Sequence, residues 1–391
     1  MIWKRRLRDG LLGLGLLAAL AGLMAWPEEV ASAGRDGLAL CGNVILPSLF
    51  PFFVVSSLTV GLGLAEYPGK VMERFMRPLF GVGGRCASAL VLGLIGGYPV
   101  GARTTAELYK TGQCSRGEAE RLLGFCNNAG PAFLFGVVGS GVFGSPRIGL
   151  LLCGIHMLSA LVVGVLFRFC PVPEAPRGGI PAQNKVHDDV HPAAVFAGAV
   201  RDSCAAVLNV CAFVVLFGVI LRLLNLSGLL GAAARGLSSL FAPLGLGYPW
   251  AKRLLGGMLE LTNGVAALPA GDLAGGLPMA AFLLGWGGLS VQCQTMSVLR
   301  DTGLSIKPCL VGKLLHGLIS AALAVPALRL LPGAAEAGLV YGRTVQSQVW
   351  PEFGTVLLLS AAGAAALLGL LLRLSVEGQG KKGGNSTRRR L

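Results

Sequence analysis

An internal repeat constrains this chain more than any other feature of the sequence. The apolar segment LLCGIHMLSALV around His156 recurs as LVGKLLHGLISAA around His316, 160 residues later. Upstream, the run LLGF that ends at Phe125 is matched by the run LLGW that ends at Trp286. Each copy is long, apolar and interrupted by Gly, Pro and Asn, which is typical of the internal duplications found in membrane transporters.

The composition favours a membrane protein. Hydrophobic residues make up 53% of the chain and charged residues 13%, whereas a soluble domain carries about 25% charged residues. A spanning helix needs about 20 apolar residues, and several stretches meet that requirement. We predict spans, part-spans or re-entrant hairpins at 11–26, 38–65, 87–109, 119–143, 148–169, 194–224, 228–247, 252–270, 277–299, 308–331 and 354–374.

The net charge of +14 is concentrated near the two ends of the chain. Lys and Arg that flank apolar spans mark the cytoplasmic side, so we expect a lipid bilayer as partner, no nucleic acid, and both termini inside. The start also fits a cleavable signal peptide that ends near Ala33, but a retained first helix better explains an even number of crossings. An odd number of crossings in each half would invert the second half relative to the first.

The predicted fold is an all-α polytopic membrane protein with two inverted repeats of Gate-like helices, broken or re-entrant at mid-membrane. The predicted parts are an N-terminal anchor helix (1–36), repeat 1 (37–170), a polar linker (171–192), repeat 2 (193–331), a C-terminal segment with the last membrane helix (332–375) and a basic, disordered tail (376–391).

No cofactor, disulfide or metal site is expected. The ten cysteines are scattered through apolar stretches without a C-x-x-C pair, which is typical of small buried hydrophobic residues. In the linker, His187 and His191 flank two aspartates and could bind a metal ion, but a solvated loop explains this composition better.

Four polar interruptions mark where the chemistry is expected. They lie at 96–105 and 127–131 in the first repeat, and at 260–264 and 290–295 in the second. Irregular backbone at membrane depth is tolerated only inside the protein or beside a water-filled cavity. We therefore expect the four interruptions to converge near the midplane, where half-helix N-termini present free N–H groups to a solute.

The candidate substrate-binding residues are Tyr98, Arg103, Thr104, Asn127, Asn128, Glu260, Thr262, Asn263, Ser290 and Gln292. Glu260 stands out because a charged residue at a helix centre costs about 2.5–3.5 kcal/mol on insertion scales. Each candidate has an alternative.

The alternatives are structural. Arg103 could extend to the interface, Glu260 could be protonated or paired with Lys252 or Arg253, and the amides could join helices. His156 and His316 are expected to make equivalent packing contacts and hydrogen bonds rather than to relay protons. We expect Lys313 to extend its ammonium to the interface.

An enzyme is the less favoured class. Ser290 and His316 suggest the serine–histidine dyad of rhomboid-type intramembrane proteases, but Val291 replaces the glycine that follows that serine. The histidine is also duplicated whereas the serine is not, which indicates a structural role. No Walker loop is present, so no ATP-driven pump is suggested.

Several motifs resemble a known family. They are ILPSLFPF at 45–52, GYPVGA at 97–102, AELY at 106–109, EAERLL at 118–123 and NNAGP at 127–131. Over residues 38–330 the chain resembles the YlbJ (SpoVV) family of sporulation integral membrane proteins. Its halves resemble the Gate, or nucleoside-recognition, domain that is also found in concentrative nucleoside transporters and ferrous iron transport proteins.

The resemblance implies a role in endospore formation. It implies movement of dipicolinic acid out of the mother cell across the outer forespore membrane, where the protein would be located. We expect Arg103 and the helix N-termini to meet the carboxylates of this aromatic dianion, and Tyr98, Phe125 or Trp286 to stack on its ring. The alternatives are a nucleoside transporter and a non-transporting scaffold for spore assembly; homo-oligomerisation stays open.

Overall fold

A computed structural model of the chain describes residues 2–62, 66–131, 133–170, 192–242, 247–269 and 272–330. Within these ranges the chain is helical, with turns and no strand, as predicted. The predicted C-terminal segment (332–375) and tail (376–391) lie outside the described residues, as do nearly all of the linker (171–192) and the span predicted at 354–374.

The first half contains the α-helices α1 (Ile2–Ala25), α2 (Pro27–Leu40), α3 (Leu46–Gly61), α4 (Glu66–Phe80), α5 (Ala87–Gly96), α6 (Val100–Lys110), α7 (Arg116–Leu123) and α8 (Pro146–Arg168), with π-helical segments at Cys41–Ile45 and Phe133–Val142. The second half contains α9 (Pro192–Leu226), α10 (Leu229–Phe241), α11 (Tyr248–Leu259), α12 (Leu261–Ala266), α13 (Leu273–Trp286), α14 (Gly288–Leu299) and α15 (Lys307–Leu330).

Four helical stretches of the described chain are long and apolar enough to cross a membrane. They are Pro146–Arg168, Ala193–Leu226, Leu273–Leu299 and Lys307–Ala327. The number rises to six if two bent pairs each count as one span: Gly13–Ala25 with Pro27–Asn43, bent by 98°, and Met72–Phe80 with Gly84–Gly96, bent by 92°. The protein is therefore a polytopic, all-helical membrane protein.

Three of the predicted stretches are interrupted. The stretch at 87–109 folds back on itself as α5 and α6, and the stretch at 252–270 does the same as α11 and α12. The stretch at 119–143 is interrupted between α7 and the second π-helical segment. The stretch predicted at 228–247 as a span or part-span contains α10, whose 13 residues are about 20 Å long, shorter than a full crossing.

The first hairpin, α5–α6, enters the protein from the face that we call the basic face, which carries the turns at 81–86, 111–115 and 300–306. Hydrogen bonds hold these turns together: Arg121 donates to the carbonyl of Gly81, and Arg116 donates to the carbonyl of Gly303. Because Lys and Arg collect on the cytoplasmic side, the charges on these turns predict that this face is cytoplasmic.

The second hairpin, α11–α12, enters from the opposite face. Its two ends are joined there by Arg253, which donates to the carbonyl of Ala267, and Gly276, near the start of α13, packs against Phe143. Phe143 lies in the turn between the second π-helical segment and α8, the far end of repeat 1 from its own hairpin. The two hairpins thus point toward each other from opposite faces, as inverted repeats require.

Glycine lets the two arms of each hairpin touch. A Cβ at Gly93 would lie 2.9 Å from the Cα of Gly101 in the first hairpin, and a Cβ at Gly264 would lie 2.0 Å from the Cα of Gly257 in the second. Helices that lack a hydrophobic driving force in lipid associate through such small residues. The matched glycines therefore make both hairpins compact units.

We predict that Gly264→Ala destabilises the second hairpin, because the added methyl group overlaps the backbone of Gly257. The free energy of unfolding should fall by at least about 1–3 kcal/mol, the usual cost of overpacking. Gly236→Ala in α10 is the matched control, since a Cβ there meets nothing within 4 Å. Thermal unfolding of the purified protein in detergent measures both variants, and equal midpoints would contradict the close contact.

Candidate functional site

An open pocket lies where the breaks of the two repeats meet. Its empty volume, including the open mouth, is about 740 Å³. The residues that line it are Ile45, Ile95, Gly96, Gly97, Tyr98, Ala129, Gly130, Phe133, Val210, Val214, Glu260, Leu261, Thr262, Ser290, Val291 and Gln294. We call it the central pocket. All four predicted interruptions contribute to it.

Four of the ten candidate binding residues line the central pocket: Tyr98, Glu260, Thr262 and Ser290. The other six, Arg103, Thr104, Asn127, Asn128, Asn263 and Gln292, lie outside its lining. Apolar residues of α9 and of the first π-helical segment complete the wall. Sequence reasoning missed these residues because nothing in their apolar runs distinguishes a pocket wall from a helix that packs against its neighbours.

Tyr98 joins the tip of the first hairpin to the second repeat. Its hydroxyl donates to the carbonyl of Leu284, with 2.5 Å between the two oxygens, and its ring lies beside Gly287. The residue is 8% exposed and lines the central pocket. Tyr98 therefore contributes an aromatic face to the pocket while its hydroxyl holds the two repeats together.

Glu260 stands at the break of the second hairpin, between α11 and α12. Its carboxylate accepts hydrogen bonds from the backbone N–H groups of Thr262 at 3.2 Å and Asn263 at 2.7 Å, so it caps α12. The residue is 2% exposed. Of its two predicted ion-pair partners, Arg253 instead donates to the carbonyl of Ala267 and lies over the ring of Trp250. Capping explains why the buried carboxylate is tolerated.

Ser290 lies at the N-terminus of α14, where the chain turns sharply at Gly287 and Gly288 (φ +85° and +81°). The first N–H groups of a helix have no partner within the helix, and no side chain caps this one. Ser290 is 1% exposed, and its Oγ has no hydrogen-bond partner although it lines the pocket. Uncapped N–H groups and a free hydroxyl together form a site for an oxygen of a solute, preferably an anionic one.

Lys313 is fully buried, so the expectation that its ammonium extends to the interface is wrong. Its Nζ donates to the carbonyl of Asn127 at 2.7 Å, lies 3.0 Å from Nδ1 of His316, and lies 5.0 Å from the centre of the Tyr98 ring. The freed carbonyl at the break of repeat 1 attracts the ammonium inward. The Nζ of Lys313 thus lies over the ring of Tyr98 inside the protein.

The duplicated histidines contact each other, as expected of equivalent packing residues. The rings of His156 and His316 lie 4.3 Å apart between centres, and Nε2 of His316 lies 2.9 Å from the carbonyl oxygen of His156. Nε2 of His156 accepts the N–H of Ala129 at the break of repeat 1. Both ring nitrogens of His316 are engaged away from the unpartnered Ser290 Oγ, so the geometry does not form a serine–histidine dyad.

Arg103 points away from the central pocket. Its guanidinium donates to Ser57 at 2.9 Å, lies 3.5 Å from the carboxylate of Glu107, and lies over the ring of Phe53. In this arrangement the guanidinium joins α6 to α3. Arg103 is not among the residues that line the central pocket. The hydroxyl of Thr104 bonds to the carbonyl of Val100 within the same helix.

One of the three buried amides, Asn127, bonds to a helix that is distant in sequence, and the other two make local hydrogen bonds. Nδ2 of Asn127 donates to Thr295 at 3.0 Å, and Nε2 of Gln292 donates to the carbonyl of Trp286 at 2.8 Å. Nδ2 of Asn128 donates to the carbonyl of Phe125. The hydroxyl of Thr295 also bonds to the carbonyl of Val291.

Two of the three aromatic residues expected at the ligand ring lie elsewhere. Phe125 stacks on Phe80 in the core, with the ring centres 5.0 Å apart, and Trp286 donates its indole N–H to the carbonyl of Met258. Phe133, which was not predicted, lines the central pocket with Tyr98. Within the described ranges there is no group of three His, Cys, Asp or Glu side chains that could hold a metal ion.

We predict that Tyr98→Phe weakens the junction between the repeats. The carbonyl of Leu284 would lose its partner inside the protein, which costs about 1–3 kcal/mol. Tyr109→Phe, at the end of α6 beside the basic face, is the matched control. Urea unfolding in mixed micelles should show the loss for Tyr98→Phe alone, and equal stability of the two variants would exclude the hydrogen bond as a stabilising contact.

The chain is similar to known proteins and to a known protein family. The Gate family, described as nucleoside recognition, matches residues 44–170. The chain is 34% identical over 323 residues to the sporulation integral membrane protein YlbJ of Bacillus subtilis (strain 168), covering 77% of this chain and 78% of that protein.

Similar solved structures are those of CNTnw. One, in the intermediate 3 state, has a TM-score of 0.44 and 16% identity over 83% of this chain and 85% of that chain. A double variant in an outward-facing state has a TM-score of 0.42 and 15% identity over 88% and 86%. With a third of its residues shared over more than three quarters of both proteins, this chain belongs to the YlbJ family of sporulation integral membrane proteins.

Proposed function

We propose that this protein is a secondary transporter of a small organic anion. We propose dipicolinate as its substrate, moved out of the mother cell across the outer forespore membrane during sporulation. Membership of a family of sporulation integral membrane proteins supports the cellular setting. A pocket shared by two inverted repeats at the level of their helix breaks supports transport rather than a scaffold role.

The single observation that carries the proposal is the unpartnered hydroxyl of Ser290 at the uncapped N-terminus of α14. A buried polar group without a partner costs free energy, so its retention beside a pocket is explained if a ligand completes it. The N-terminal end of a helix carries a partial positive charge. Together they suit one carboxylate of an organic anion.

The rest of the pocket suits a flat ring. Tyr98 and Phe133 supply aromatic surface, and Ile95, Val210 and Val214 supply an apolar wall. Dipicolinate is a planar aromatic ring with two carboxylates on its edge. With one carboxylate at Ser290, its ring would lie among these apolar side chains, where stacking and burial favour it.

Glu260 favours a second candidate, a nucleoside. An ionised carboxylate accepts hydrogen bonds only, so it pairs well with the hydroxyl groups of a sugar, whereas it repels a dianion. The match of residues 44–170 to a family described as nucleoside recognition supports the same candidate. Capping of α12 by Glu260 partly neutralises the carboxylate, which reduces its repulsion of an anion.

Uptake of labelled dipicolinate into proteoliposomes tests the first candidate. We expect flux above that of empty vesicles for the parent protein. Ser290→Ala should raise the apparent KM about 10-fold, which corresponds to about 1.4 kcal/mol, because the carboxylate loses one hydrogen bond. Ser239→Ala, on the exposed side of α10, is the control and should behave as the parent does. Parent flux no higher than that of empty vesicles would rule out dipicolinate.

Competition separates the two candidates. If dipicolinate is the substrate, a tenfold excess of unlabelled uridine should leave dipicolinate flux unchanged, and Glu260→Gln should retain dipicolinate transport, because the uncharged amide removes a repulsion. If a nucleoside is the substrate, uridine uptake should exceed dipicolinate uptake, and Glu260→Gln should abolish it, since the amide cannot replace the lost charged acceptor.

A further inference from the structure

A second cavity lies on the other side of the second hairpin, toward the face from which this hairpin enters the protein. This is the face opposite to the basic face. Its empty volume, including the open mouth, is about 770 Å³. The residues that line it are Leu221, Asn225, Leu230, Tyr248, Pro249, Lys252, Arg253, Gly256, Asn263, Gly264 and Ala267. We call it the basic cavity, because its lining contains two cationic side chains and no carboxylate.

The polar side chains of the basic cavity come from three elements. Lys252 and Arg253 are half-buried on α11, Asn225 is at the end of α9, and Asn263 is on α12. Tyr248, 38% exposed, lies at the mouth. Half-buried cations on low-dielectric walls concentrate anions more strongly than cations on a flat surface do.

A single turn of helix separates the basic cavity from the central pocket. At the start of α12, Glu260 and Thr262 line the central pocket, whereas Asn263 and Gly264 line the basic cavity. The backbone N–H of Asn263 bonds to the carboxylate of Glu260, so one hydrogen bond joins the two walls. The two cavities therefore share a wall, and the basic cavity lies nearer the opposite face, where α11 begins.

We infer that the basic cavity is a second binding site for the carboxylate of an anionic solute, occupied on the path between the central pocket and the opposite face. This inference rests on the proposed function, because it assigns an access site to the same transported anion. Lys252 supplies the principal charge. Arg253 is engaged with the carbonyl of Ala267 and with the ring of Trp250, so it contributes to the field while it holds the hairpin closed.

The experiment measures dipicolinate uptake by the parent, Lys252→Gln, Lys252→Arg and Arg235→Gln in phosphatidylcholine proteoliposomes at two salt concentrations. Arg235→Gln is the matched control, since it removes one positive charge from the neighbouring α10 outside the lining of the basic cavity. At about 20 mM salt, Lys252→Gln should raise the apparent KM about 3–5-fold with the maximal rate unchanged, because a local charge concentrates the anion.

The salt dependence and the variant Lys252→Arg, which keeps the positive charge, test whether the effect on the apparent KM is electrostatic. At about 0.5 M salt the difference between Lys252→Gln and the parent should shrink below about 2-fold, since screening acts over a few ångströms there. Lys252→Arg should match the parent at both concentrations. A KM for Lys252→Gln equal to that of Arg235→Gln would overturn the inference, and so would a loss of maximal rate that Lys252→Arg does not restore.

Two further results have separate meanings. If the parent itself transports no dipicolinate, the proposed function fails, whereas parent transport without a Lys252 effect overturns only the basic cavity. If the effect of Lys252→Gln arises only in vesicles that contain phosphatidylglycerol, the cavity holds a lipid headgroup rather than the transported solute, and the inference is overturned.

Discussion

The satisfaction of backbone polar groups at membrane depth is the constraint on which the rest of this structure depends. A broken helix frees N–H and C=O groups where no water can bond to them, and each such group costs several kcal/mol if it stays unpaired. Here side chains of one repeat supply partners to the breaks of the other. Tyr98 donates to the carbonyl of Leu284, and Lys313 donates to the carbonyl of Asn127.

These hydrogen bonds between the two repeats also position the central pocket. Because two of the breaks take a partner from the other repeat, the tips of both hairpins line one pocket. Glu260 differs from the other partners, since it caps its own half-helix and also lines the pocket. Among the residues that line the central pocket, Ser290 alone has a buried side-chain polar atom without a hydrogen-bond partner, and a ligand gains most by bonding to such an atom.

The sequence predicted the architecture better than the individual contacts. The repeat around His156 and His316, the apolar composition and the four interruptions were sufficient for inverted helical repeats whose breaks meet. Side-chain direction was not predictable in the same way. Arg103 turns toward Ser57 rather than the pocket, and Lys313 turns inward, because the nearest acceptors belong to segments distant in sequence. Such pairings depend on tertiary packing that local patterns do not encode.

The position of Lys313 also has a consequence for biosynthesis. A lysine opposes insertion of an isolated helix by up to about 2.5–3.5 kcal/mol, the value for the helix centre, and Lys313 is the seventh of the 24 residues of α15. Its acceptor, the carbonyl of Asn127, lies 186 residues earlier in the chain and the ring of Tyr98 lies earlier still, so both leave the ribosome first. When α15 reaches the translocon, repeat 1 already offers a carbonyl and an aromatic ring to the Lys313 side chain, so this side chain does not have to enter the hydrocarbon without a partner. If the two halves assemble in the order of their synthesis, α15 enters the membrane after repeat 1 has folded. The charge of Lys313 then has a partner during insertion.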